Sequence, residues 1–121
     1  MNSRSCYAFY GSLRRGMSNY EQFESGLEFL YMESIPGYRL FAMENYPYAV
    51  RTGHPADLLM VEVFRVTRRE VEQAIHELEL QVGYYYEEVI IHGEPVGIYL
   101  FKNMGSEPLV KSGDWVKFFG S

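Results

Sequence analysis

The sequence predicts an α+β fold: a mixed, mostly antiparallel, barrel-like sheet of about seven short strands, with one main and one short helix, in a single domain over residues 1–121. Three observations predict it. Short apolar and aromatic runs recur along the chain, each closed by a Gly, Pro or Asn turn. Helix-start signals stand at Ser18 and at Thr67. Strands and helices do not alternate strictly, which argues against a doubly wound parallel sheet.

Taken in order, Cys6 to Tyr10 reads as the first strand, ended by Gly11. Ser18-Asn19-Tyr20-Glu21 has the pattern of a capping box and opens a short helix to about Glu24. Leu27 to Glu33 reads as a strand closed by Pro36-Gly37. Tyr38 to Met43 and Tyr48 to Arg51 are two more, split by an Asn45-Tyr46-Pro47 turn. Asp57 to Val66 is the strongest strand, with Leu59, Val61 and Val63 on one face and Met60, Glu62, Phe64 and Val66 on the other. Thr67-Arg68-Arg69-Glu70 is a second capping-box pattern. It opens a helix whose Val71, Ala74, Ile75 and Leu78 share one face, and Gly83 is its stop. Tyr85 to Ile91 and Val96 to Phe101 form a hairpin around His92-Gly93-Glu94-Pro95, and Leu109 to Phe119 adds an edge strand.

Composition narrows the function. Hydrophobic residues make up 47% of the chain, enough for a core, and 11 Tyr and 8 Phe suit half-buried sheet surfaces or cavity walls. A net charge of −5 argues against nucleic acid as main partner, because neutralising phosphates needs a basic face. Arg14-Arg15 and Arg68-Arg69 are short pairs of the kind that usually stands on a solvated surface. The single cysteine, Cys6, excludes an internal disulfide and reads as a small core residue. The apolar run after Met1-Asn2-Ser3-Arg4-Ser5 is too short for a signal peptide or a membrane span, so the expected compartment is the cytoplasm, without membrane attachment.

Two places in the chain carry possible chemistry. Tyr10-Gly11-Ser12-Leu13-Arg14-Arg15-Gly16 follows the first strand directly. With Gly11 free to take positive φ, the turn can aim consecutive N–H groups at one anion; a plain strand-to-helix turn explains the segment equally well. Gly11 and Gly16 have the spacing of a phosphate loop, but Met17 stands where that motif needs Lys, which argues against nucleotide binding. Glu79 stands beside the apolar stripe in the last turn of the main helix. The helix dipole disfavours a carboxylate there, and partial burial raises its pKa toward the value a general base needs near pH 7. A snorkelling surface Glu fits that position too. Glu62 reads as structural rather than catalytic. His54, His76 and His92 lack metal-ligand spacing, and no Ser–His–Asp order stands out.

Nearly the whole chain resembles the γ-glutamylcyclotransferase-like family, which includes the γ-glutamylamine cyclotransferases and plant avirulence-induced-gene-like proteins. Ala8-Phe9-Tyr10-Gly11-Ser12-Leu13-Arg14-Arg15-Gly16 is similar to the family's N-terminal signature. Pro36-Gly37-Tyr38-Arg39-Leu40 with Tyr46-Pro47, Val61-Glu62-Val63-Phe64, Ile75-His76-Glu77-Leu78-Glu79 and Gly113-Asp114-Trp115 resemble its later segments. The chain departs from the pattern at Val61, at Ile75-His76 and at Glu87, where many members have Arg.

The resemblance implies a small-molecule γ-glutamyl substrate whose own α-amine attacks the γ-carbonyl, releasing 5-oxoproline and a free amine, with no cofactor or metal. It implies Glu79 as the catalytic base, the N–H groups of Gly11, Ser12 and Leu13 as the carboxylate site, and Tyr10 and Tyr85 as pocket residues. Two other readings stand beside it: a non-catalytic module that keeps a γ-glutamyl-binding or carboxylate-binding cavity, favoured by the departures at 76 and 87, and an anion-binding or hydrolytic enzyme using Ser12.

Overall fold

A computed structural model describes residues 5–44 and 46–119. Met1 to Arg4, and Asn45 of the expected turn, lie outside the described residues. Seven strands form: β1 (Cys6–Phe9), β2 (Leu27–Pro36), β3 (Tyr38–Ala42), β4 (Pro47–Arg51), β5 (Leu58–Val66), β6 (Tyr85–Ile91) and β7 (Glu94–Leu100). Three α-helices accompany them: α1 (Ser18–Phe23), α2 (Arg69–Val82) and α3 (Trp115–Phe119). Five strands make one sheet in the order β2-β5-β1-β7-β6, and β3 pairs with β4 in a second. All pairings are antiparallel except β1 with β7. The described strands thus form a mixed α+β architecture but do not close into a barrel.

Burial explains the order. β5 and β7 are central, and Val61 to Phe64 and Val96 to Leu100 are buried on both faces. β6 is an edge strand and alternates, leaving Tyr86, Glu88 and Ile90 exposed. Trp115, Tyr48, Phe64, Leu40, Leu59 and Ile75 are the largest fully buried side chains, so the core joins both sheets, α2 and the C-terminal segment.

Three expectations about the helices need correction. Neither capping box forms. α1 begins after Met17 and α2 after Arg68, and neither has a side-chain cap. At α1 the carbonyl of Ser12 does the work instead, accepting the N–H groups of Asn19 and Tyr20, each at 3.1 Å. The expected C-terminal edge strand is also absent: Leu109 makes a single bridge to Phe41, and the chain then turns into α3. Asp114 starts that helix by accepting the Lys117 N–H at 3.2 Å. Gly113 makes the turn possible, since it sits at φ +70 with any Cβ only 2.0 Å from the carbonyl oxygen of Leu58.

The parallel pairing of β1 with β7 sets the position of the loop that follows. That loop leaves at the end of the sheet where β7 also ends, so Tyr10 reaches across and its hydroxyl donates to the Tyr99 carbonyl at 2.6 Å. No helix among the described residues is long and apolar enough to cross a membrane.

Candidate functional site

The loop from Tyr10 to Gly16 is held from beneath by charge. Arg14, expected on the surface, is only 3% exposed. Its guanidinium donates to Glu62 of β5 at 2.9 Å and to Asp114 at 2.7 Å. Arg15 donates its backbone N–H and its side chain to the other oxygen of Glu62, both at 3.0 Å. Glu62, itself 3% exposed, is therefore saturated and structural. Burial opposes ionisation of Asp114, but the bonds from Arg14 and the Lys117 N–H outweigh it and hold the carboxyl below its ordinary value. Gly11 is not in the left-handed region, contrary to the expectation of a positive φ there. Its missing Cβ matters for another reason: a Cβ would lie 2.9 Å from the Pro47 ring, so only glycine lets Pro47 close over the loop.

Above this anchor the loop's N–H groups are unspent. Gly11, Ser12 and Leu13 use no N–H in a backbone hydrogen bond among the described residues. All three residues line a cavity of about 230 Å³. Its buried floor is Ala8, Phe9, Tyr10, Leu13, Pro47, Tyr84 and Tyr99. Its other wall is the last turn of α2, with Leu78, Glu79 and Val82.

The Glu79 carboxylate faces this space without a hydrogen-bond or ion-pair partner among the described residues. Burial pushes its carboxyl up from the ordinary 4.5 to about 7. The helix end fixes its backbone, because the Glu79 carbonyl accepts the N–H groups of Gly83 and Tyr84 at 3.3 and 3.1 Å. Tyr10, Tyr84 and Tyr99 surround the carboxylate closely enough to feel its charge, and burial, the main cause, raises all three phenols well above their ordinary value. Each hydroxyl is engaged away from Glu79. Tyr10 accepts the Ala49 N–H at 3.1 Å besides donating to Tyr99; Tyr84 donates to the Pro47 carbonyl; Tyr99 meets His76 Nδ1 at 2.9 Å. The phenols shape the wall and leave the carboxylate bare.

The structure thus brings Tyr10, Gly11, Ser12, Leu13 and Glu79 to one cavity. It leaves Tyr85 out. Tyr85 begins β6 and stands beside Lys102, whose ammonium lies 5.6 Å from its ring, while Tyr84 and Tyr99 occupy the wall. Strand alternation separates neighbours to opposite sides, so in the Tyr84-Tyr85-Tyr86 run a one-residue offset changes which ring enters the cavity. Ser12 Oγ accepts from the Asn19 amide at 2.8 Å, which gives it a donor rather than a base. The departures from the family pattern find local partners: His76 bonds Tyr99, and Glu87 pairs with Arg51 at 2.6 Å. Among the described residues no three His, Cys, Asp or Glu side chains are grouped to hold a metal ion.

The family model described as "Gamma-glutamyl cyclotransferase, AIG2-like" matches residues 7–117. Among solved structures, the uncharacterised protein PH0828 from Pyrococcus horikoshii shares 32% identity over 94% of this chain and 92% of that one, with a TM-score of 0.79. The uropathogenic Escherichia coli protein c4763 superposes with a TM-score of 0.80 at 20% identity, covering 96% of this chain and 95% of its own. An AIG2-like protein from Mus musculus has a TM-score of 0.71 at 15% identity over 88% and 86% of the two chains. The last two likenesses speak to the fold alone. Among proteins of curated function, none matches the chain.

Two outcomes follow from this geometry. Arg14→Met takes the cation from Asp114 and from one side of buried Glu62, and should lower the unfolding free energy by roughly 3 kcal/mol in urea titrations; a change under about 0.5 kcal/mol would contradict the anchoring role. Glu79 binds its proton more tightly folded than unfolded, so its contribution to stability falls as pH rises from 4.5 through about 7. Glu79→Gln removes that penalty. Relative to the parent, the variant should gain roughly 3 kcal/mol more at pH 8 than at pH 4; an equal difference at both pH values would show that the carboxyl is not held up by burial.

Proposed function

The chain belongs to the gamma-glutamyl cyclotransferase, AIG2-like family, and we propose that it is an active cyclotransferase, cleaving γ-glutamyl amides to 5-oxoproline and a free amine. The observation that carries this reading is the bare Glu79 carboxylate sharing a cavity with the unspent N–H groups of Gly11, Ser12 and Leu13.

The substrate's α-carboxylate accepts hydrogen bonds from the loop, and its γ-amide lies toward α2. The α-ammonium gives one proton to Glu79 Oε. The freed amine attacks the γ-carbonyl carbon, closing a five-membered ring, and the bond to the leaving nitrogen breaks. The leaving nitrogen takes back the proton held by Glu79 and a second one shed by the ring nitrogen, and departs as an ammonium. Protons and charge balance within the substrate and one carboxylate.

Physical chemistry makes the scheme economical. Nucleophile and electrophile belong to one molecule, so holding the chain folded supplies much of the effective molarity. Lifting the carboxyl from 4.5 to about 7 narrows the uphill proton transfer from the ammonium by roughly 3 kcal/mol. The entering ammonium in turn favours the carboxylate form. The departures at 76 and 87 leave base and loop in place, which weighs against a module that only binds. The Asn19 partner of Ser12 weighs against a serine nucleophile.

Glu79→Gln should lower 5-oxoproline release from a γ-glutamyl amide panel by about 10²–10⁴-fold while the protein stays folded by circular dichroism. Undiminished release in that variant would remove Glu79 from the chemistry.

A further inference from the structure

The cavity divides into a closed floor and an open rim, and the rim has a chemical character of its own. At about 230 Å³ the space falls below the roughly 300–1,000 Å³ typical of sites for drug-sized ligands. It suits an amino-acid acyl group, so the substituent on the leaving nitrogen must pass outward over the rim. Apart from Gly11, Ser12 and Glu79 of the reaction site, the partly or fully exposed lining residues are Ser18, Asn19, Tyr46, Leu78 and Val82. None is charged. Glu79 is the one ionisable side chain besides the phenols among the described lining residues, and it is committed to the ammonium. A carboxylate carried by the leaving amine therefore meets no cation, while Val82 and Leu78 offer apolar surface beside the Tyr46 ring. Seating such a carboxylate against that surface costs hydration that nothing replaces. The chain's net charge of −5 adds long-range repulsion of the same sign.

Resting on the cyclotransferase reading, we infer that the rim selects γ-glutamyl amides whose leaving amine carries an uncharged, apolar substituent, and discriminates against amines bearing a carboxylate. Val82 is the specificity-determining position. It is 38% exposed, in the last turn of α2, three residues from Glu79, so a polar replacement there does not disturb the core.

The test measures kcat/KM for 5-oxoproline release from three compounds: γ-glutamyl-n-butylamide, γ-glutamylglycine and γ-glutamyl-ε-lysine. The butylamide should exceed each of the other two by about tenfold or more. Val82→Lys, which places a cation on the rim, should narrow the butylamide-to-glycine ratio by about threefold or more, mainly through a lower KM for γ-glutamylglycine. Equal or faster turnover of the glycine or lysine compound overturns the inference and leaves the cyclotransferase reading standing. A ratio unmoved by Val82→Lys overturns the assignment of the rim. No turnover of any of the three by the folded protein overturns the cyclotransferase reading itself, and the inference with it.

Discussion

The buried contact between Arg14 and Glu62 is the constraint on which the site depends. It ties the loop after β1 to the neighbouring buried strand β5, and Arg14 carries the tie on to Asp114 before α3. Buried ion pairs return little net stability, because desolvation of both charges offsets most of their attraction. What this one supplies is placement. With Arg15 bonded to the second oxygen of Glu62, the loop has one way to lie on the sheet. Pro47 then closes on Gly11, and the carbonyl of Ser12 starts α1. The three N–H groups at the top of the loop are left over once these obligations are met.

The contrast between Glu62 and Glu79 shows how environment divides one residue type into two roles. Glu62 accepts three N–H groups from two arginines and is spent on structure. Glu79 stands at the end of α2, where the helix dipole is unfavourable to a carboxylate, and no donor compensates. Three phenols come close, yet Tyr10, Tyr84 and Tyr99 give their hydroxyls to backbone or to His76. A carboxylate so placed destabilises the fold above its pKa. That cost accompanies a carboxyl raised to about 7, the range that the proposed role as a base near neutrality requires.

Much of the fold was legible in the sequence because periodicity reports burial. β6 matches its expected span at both ends, and all seven strands stand near their expected places. The loop stands out as a glycine directly after a strand, whereas Glu79 is ambiguous on periodicity alone, because a surface glutamate fits the end of an apolar stripe as well, and only the resemblance singles it out. The failures have physical causes. Capping boxes at Ser18 and Thr67 compete with tertiary partners, and the Ser12 carbonyl wins at α1. Arg14 reads as surface until Glu62 and Asp114, 48 and 100 residues distant, are brought to it. The tail from Leu109 has strand-like residues, but Gly113 and Asp114 turn it into a helix. The resemblance implies Tyr85 at the pocket, but strand facing depends on a register that spacing alone does not fix, and it is Tyr84 that lines the cavity.

The central claim is that the loop and Glu79 act on one ligand. Nuclear magnetic resonance with glutaric acid mono-n-butylamide tests it directly, since that compound keeps the carboxylate and the γ-amide but has no amine to react. Saturable shifts of the Gly11, Ser12 and Leu13 amide signals, together with the Glu79 side-chain carboxyl carbon and at one common Kd, are the predicted result. Shifts confined to other parts of the chain, or loop and Glu79 signals that titrate with different Kd values, would contradict it.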